Sequence, residues 1–126
     1  PESAYAEPVS RAVLAELLAL AGLAARGGHA VIADATFLDP ADRAAIEGAA
    51  RAAGLPFDGL WLEAPLDVLK ARIAARHGDA SDATEAVVER AAARDPGPIA
   101  WTRIAADANP VPATCAALAL PAPALC

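Results

Sequence analysis

Methionine is absent from the 126 residues, and the chain opens on Pro-Glu-Ser. Position 1 is therefore not expected to be a translation start, and the sequence reads as a piece of a longer chain. Cysteine is almost absent as well. Cys115 and Cys126 stand alone, without the CxxC or Cys/His spacing that builds a metal or redox site. Thiols this sparse suit a reducing cytoplasm. Aromatic residues make up only 4%, so the core has to rest on Leu, Ile and Val, with Trp61, Phe57 and Trp101 as its candidate large rings. Cations are outnumbered, 10 Lys+Arg against 16 Asp+Glu, for a net charge of −6. No basic cluster is dense enough to track a phosphate backbone, which argues against a nucleic-acid partner. No apolar run approaches the ~18 residues that span a bilayer. The stretch 12–25 comes nearest, but Glu16 interrupts it and no signal-peptide pattern flanks it.

What is present is a globular composition, 56% hydrophobic and 21% charged, at the length of one ordinary domain. Much of the apolar fraction is alanine, which packs helices closely but buries little area per residue. Residues 9–26 read as a long helix, started by Ser10 or Glu7 and stopped by Gly27-Gly28. Residues 30–35 are a short apolar run of the kind that forms a strand covered on both faces. Asp39 is a good N-cap with Pro40 at the first helical position, and that helix runs to about Ala53 before Gly54 and Pro56. Residues 58–63 predict a second buried strand. Pro65 opens a helix closed by Gly78, and Ser81 or Asp82 opens another, with Asp82 and Glu85 at capping-box spacing. A third strand is expected over 102–106 and a weak helix over 112–120. The domain is thus drawn as 1–120, with 121–126 a frayed tail. Strands alternating with helices predict an α/β fold with a parallel sheet and right-handed crossovers. Three strands make that sheet thin.

In open parallel sheets ligands bind beyond the carboxyl ends of the strands. Asp34 sits at such an end, after Val31-Ile32-Ala33. It is either a carboxylate that steers a hydrated Mg²⁺ beside phosphates or a cap that closes the turn. Thr36 either aims its hydroxyl at the same edge or closes an ST-turn, and the turn is favoured locally. Arg43 lies in the first turn of its helix, where a cation opposes the dipole; it either serves an anion or is solvated. Arg72 and Arg76, four apart, share a helical face beside the apolar stripe of Leu66, Leu69 and Ile73. They either clamp a polyphosphate or snorkel at the helix C-terminus. His29 and His77 lack ligand partners at metal spacing. No nucleophile–base set is apparent.

Three blocks, DATFLDPADR (34–43), EAPLDVLKARIAAR (63–76) and SDAT (81–84), resemble the P-loop kinase superfamily. They are most similar to the AAA-type small-molecule kinases, relatives of gluconate kinase and of polynucleotide 5′-hydroxyl kinases, over roughly residues 5–120. The resemblance implies a partial three-layer sheet of about three strands flanked by helices. It implies Asp34 at the Walker-B-like position holding Mg²⁺, with Thr36 beside it, and Arg43 near the acceptor. It implies Arg72 and Arg76 in a lid over the ATP phosphates, and a loop from Ala106 to Asn109, including Asp107, near the adenine. The departure is the P-loop itself. GxxxxGK[ST] is missing, and so is the acidic residue that follows it. Both are expected upstream of Pro1, and the strand that carries the P-loop would complete the sheet.

The sequence therefore predicts the C-terminal part of a cytoplasmic ATP- and Mg²⁺-dependent kinase acting on a hydroxyl of a small metabolite. The isolated chain is expected to be inactive, and its missing N-terminal segment is its first partner. A non-catalytic α/β association module is the alternative. An oligonucleotide end kinase is a third reading, against which the acidic balance weighs. No membrane partner is expected.

Overall fold

The computed structural model describes residues 7–76 and 84–121. Its elements are α1 (Glu7–Arg26), α2 (Pro40–Ala52), β1 (Leu60–Glu63), α3 (Leu66–Ala74), α4 (Glu85–Ala92), β2 (Thr102–Ala105) and α5 (Val111–Ala117). The chain divides into two compact units, Pro1–Phe57 and Asp58–Cys126.

In the first unit α1 packs against α2. Both helices stop as their glycines dictate. After α1, the His29 amide donates to the Ala24 carbonyl at 3.2 Å and the Gly28 amide to Ala25 at 3.0 Å, with Gly28 at φ 83°. After α2 the pattern repeats, Leu55 to Ala50 at 3.1 Å and Gly54 to Arg51 at 3.0 Å, with Gly54 at φ 68°. These are Schellman closures, in which a left-handed residue satisfies carbonyls that the helix end would leave open. At the other end of α2, Asp39 Oδ1 accepts from the Ala41 amide at 2.9 Å, and Pro40 occupies the first helical position. That is the expected cap.

Residues 30–35 depart from expectation. They run on from the α1 closure without forming a strand, and Ile32 is 97% exposed. A strand exists only by pairing, and the described residues of this unit offer two helices and nothing to pair with. Periodicity reports how apolar a segment is, not whether a neighbour is there to receive it.

The second unit holds the sheet. β1 and β2 pair in parallel, Leu60 with Thr102 through Glu63 with Ala105. The ladder is extended at its ends by the Thr102 amide to Gly59 at 2.9 Å and the Ala106 amide to Glu63 at 2.8 Å. The α/β reading stands, with two strands in place of three. Ile104 and Ala106 are buried, but Leu62 is 56% exposed, so the expected two-sided cover is incomplete. The helices of this unit pack α3 on α4 and α5 on β2, and a two-stranded sheet is all edge. Trp101 lies over Gly59 so closely that a Cβ there would stand 2.4 Å from the indole. The glycine is therefore a packing requirement, and it fixes where the chain enters β1.

The helices after β1 are shorter than predicted. α3 ends at Ala74, with Ala75 as its C-cap, so Arg76 lies just past the helix instead of sharing a face with Arg72. α4 starts at Glu85 with Thr84 as N-cap. Asp82, its proposed capping box and Gly78 fall outside the described residues, as does most of the tail from 122 onward. Lys70 on α3 and Glu89 on α4 form an ion pair that ties these two helices together. α5 closes with a Schellman pair of its own, Leu120 to Cys115 at 2.8 Å and Ala119 to Ala116 at 3.2 Å. Here the left-handed position, φ 51°, is held by an alanine.

Candidate functional site

The first unit presents Asp34, Ala35 and Thr36, all exposed, on a bend between the apolar run and α2. The bend has no ladder beside it in this unit, but an arginine bonds to it. Arg43, one turn into α2, is only 5% exposed, and its Nη1 donates to the Phe37 carbonyl at 2.6 Å and the Leu38 carbonyl at 3.2 Å. Two carbonyl dipoles answer the charge that the helix N-terminus opposes, which accounts for a cation at that position. Phe37 is itself buried and sits at φ 44°. A left-handed non-glycine residue costs about 1–2 kcal/mol, so the bend persists because Phe37 burial and the Arg43 bonds hold it. Phe37 was not legible as a special position, since phenylalanine carries no turn signal.

In the second unit the carboxyl ends of β1 and β2 open onto a shallow depression of about 390 Å³ lined by Glu63, Ala64, Pro65, Ala105 and Asp107. This is the edge at which parallel sheets place ligands. Arg72, in the last turn of α3, donates through Nη2 to the Asp107 carbonyl at 3.0 Å, which brings two of the expected site residues together. Asn109 follows in the same loop; its Oδ1 accepts from the Val111 amide at 3.1 Å and starts α5. Arg76 is exposed. Glu63 pairs with Arg103 of the neighbouring strand at 2.6 Å, both half-exposed. Sequence reasoning passed over Glu63, although Leu60-Trp61-Leu62-Glu63 repeats the pattern that singled out Asp34: an apolar run delivering a carboxylate to the strand end. Applying the rule to both runs would have found it.

The chemistry these two surfaces offer is hard oxygen donors on one and guanidinium groups beside a main-chain loop on the other. Among the described residues no three His, Cys, Asp or Glu side chains cluster as a metal cage. No helix of the described residues is long and apolar enough to cross a membrane.

A family model described as AAA domain matches residues 1–97, which takes in α1, the Asp34 bend, α2, β1, α3 and α4. No curated protein and no solved structure matches the chain. With most of its length matched, the chain belongs to the AAA domain family, a nucleotide-binding, P-loop kinase-like group.

Proposed function

We propose that this chain is part of an ATP-dependent kinase that transfers the γ-phosphoryl group to a hydroxyl of a small metabolite. The observation that carries the reading is the exposed Asp34-Ala35-Thr36 bend at the end of an apolar segment, inside the stretch matched by the family. AAA-type domains generally bind nucleotide with Mg²⁺. A carboxylate and a hydroxyl are the donors that ion prefers, and it takes few protein ligands because it keeps waters and phosphate oxygens. The residues present fit it.

In this mechanism Asp34 would hold the Mg²⁺, with Thr36 beside it, and the ion would supply neutralisation of phosphate charge. Arg72 and Arg76 stabilise the charge that develops on the transferring group, Arg72 exchanging the Asp107 carbonyl for a phosphoryl oxygen. The loop carrying Asp107 and Asn109 borders the adenine. The acceptor oxygen bonds to the γ-phosphorus as the β–γ bridging bond breaks, ADP leaves, and the hydroxyl proton passes to a base. These 126 residues contain no GxxxxGK[ST], so the amides and lysine that cradle the β- and γ-phosphates have to come from outside them. A small acceptor, and not an oligonucleotide, suits the net charge of −6. A cytoplasmic location suits an ATP-consuming enzyme with isolated thiols.

Calorimetry with ATP and Mg²⁺ tests the reading. The intact gene product is expected to bind nucleotide, and the 126 residues alone to bind it little. An intact product that lacks GxxxxGK[ST] and ignores ATP overturns the proposal. A second reading, a non-catalytic association module, draws on the outward apolar residues Val9, Val13, Leu20 and Leu23 of α1. Their spacing of four, seven and three places them on one stripe. On that reading Asp34→Ala leaves phosphoryl transfer by the parent protein unchanged.

A further inference from the structure

We propose that Arg43 is a positioning residue, whose guanidinium clasps the Phe37 and Leu38 carbonyls and thereby sets the bend from which Asp34 and Thr36 face outward. Its relevance to catalysis rests on the metal role given to Asp34 above. Three observations carry it. Arg43 is buried at 5% exposure, among the least exposed of the described side chains, although it is charged and lies on a helix that starts at the surface. Its Nη1 spans two consecutive carbonyls, six and five residues back. The first of those carbonyls belongs to Phe37, whose backbone at φ 44° is a conformation that a side-chain-bearing residue adopts only when its surroundings impose it.

The apolar run before the bend has no ladder to hold it within its unit. The Asp39 cap fixes where α2 begins, but it leaves the direction of residues 34–38 open. Arg43 supplies the missing constraint, from the helix to the loop that precedes it. A solvated arginine would be interchangeable with lysine or glutamine. One that organises the bend is not, because the reach of the side chain brings one nitrogen, Nη1 with its two protons, to both carbonyls. Groups bonded directly to a metal-binding side chain change metal affinity by about 10–100-fold when removed, and a clasp that acts through the loop main chain belongs at the lower end, about tenfold.

The experiment is amide and arginine side-chain NMR on the intact protein, with Mn²⁺ alone as the probe. In the parent protein the Arg43 Hη1 protons are expected to exchange slowly and to show contacts to Phe37 and Leu38. Fast exchange like that of a surface arginine overturns the proposal without any variant. In Arg43→Gln the α2 amides stay in place, the amides of residues 35–38 move, and Mn²⁺ broadening at Ala35 and Thr36 needs at least about tenfold more metal. Arg43→Lys, which can still donate to carbonyls, recovers part of that loss. Loop amides that do not move in Arg43→Gln overturn the clasp. Loop amides that move in a protein whose parent shows no Mn²⁺ broadening uphold the clasp and overturn the metal role of Asp34, so the two ideas fail separately.

Discussion

The two units of this chain solve the same problem by different means. Each has to carry a polar residue at the end of an apolar run. In Asp58–Cys126 the run is a strand: Glu63 is held by a parallel ladder, Leu60–Glu63 against Thr102–Ala105, with the Thr102 amide on the Gly59 carbonyl and the Ala106 amide on the Glu63 carbonyl. In Pro1–Phe57 the run is unpaired, and on the inference above the bend that carries Asp34 is set by the Arg43 clasp. A ladder distributes its constraint over many bonds, each worth about 0.5–1.5 kcal/mol net. A clasp concentrates it in one residue. The first unit is therefore the one whose bend rests on a single side chain.

The substitution with the largest expected effect on stability tests the ladder side. Gly59→Ala drives a Cβ into the proximal indole atoms of Trp101, and the ring has no tip to swing away. A loss of about 1–3 kcal/mol is expected from overpacking, read as lower amide protection across Leu60–Glu63 and Thr102–Ala105 with α2 untouched. Asp39→Ala comes next and tests the other unit. Removing the cap is expected to cost about 1 kcal/mol, seen as fraying of the first turn of α2. If Asp39→Ala disturbs the β1–β2 ladder as much as its own unit, the contrast between the units is wrong.

Much of this was legible in the sequence where the cause is local. Asp39-Pro40, Gly28 and Gly54 carry their conformations in their own chemistry, so both ends of α2 and the end of α1 fall where the residues say. The parallel direction of 60–63 and 102–105 followed from alternating strands and helices, though not which strand would pair with which. What could not be read was whatever depends on a neighbour. Residues 30–35 have the composition of a buried strand and no partner in their unit. Phe37 adopts a left-handed backbone that only its burial and Arg43 explain. Arg43 is conspicuous in the sequence as a cation opposed to the dipole, but it is buried on two carbonyls and not solvated as expected, and spacing does not reveal those partners. Among the candidate site residues, the structure brings Arg72 to the loop of Asp107 and makes Asn109 a turn residue, two facts that link positions more than thirty apart or hide behind a common residue type.

A smaller effect, of opposite sign, is expected at Ala119. It occupies the left-handed position of the α5 closure that glycine fills after α1 and α2. Ala119→Gly should raise stability by up to about 1 kcal/mol, measured by denaturant unfolding, and bring the third closure into line with the first two. The smallest effect concerns the α3–α4 tie. The bond to Glu89, and then its charge, hold the Lys70 ammonium above the ordinary lysine range. A raised value in the folded state means the contribution is complete below the ordinary lysine pKa and is lost as pH rises through the raised one. Thermal unfolding at increasing alkaline pH should therefore show a slight loss in the parent that is absent in Glu89→Gln. Because both side chains are exposed, the change will be small.

The measurement that bears most directly on the central claim is Mg²⁺-dependent phosphoryl transfer from ATP by the intact gene product and its Asp34→Asn variant, at saturating ATP. The variant is expected to fold, to keep its α2 and ladder amides, and to transfer at least about tenfold more slowly, about 1.4 kcal/mol or more of barrier. Transfer by Asp34→Asn at the parent rate, with the same Mg²⁺ requirement, would contradict it.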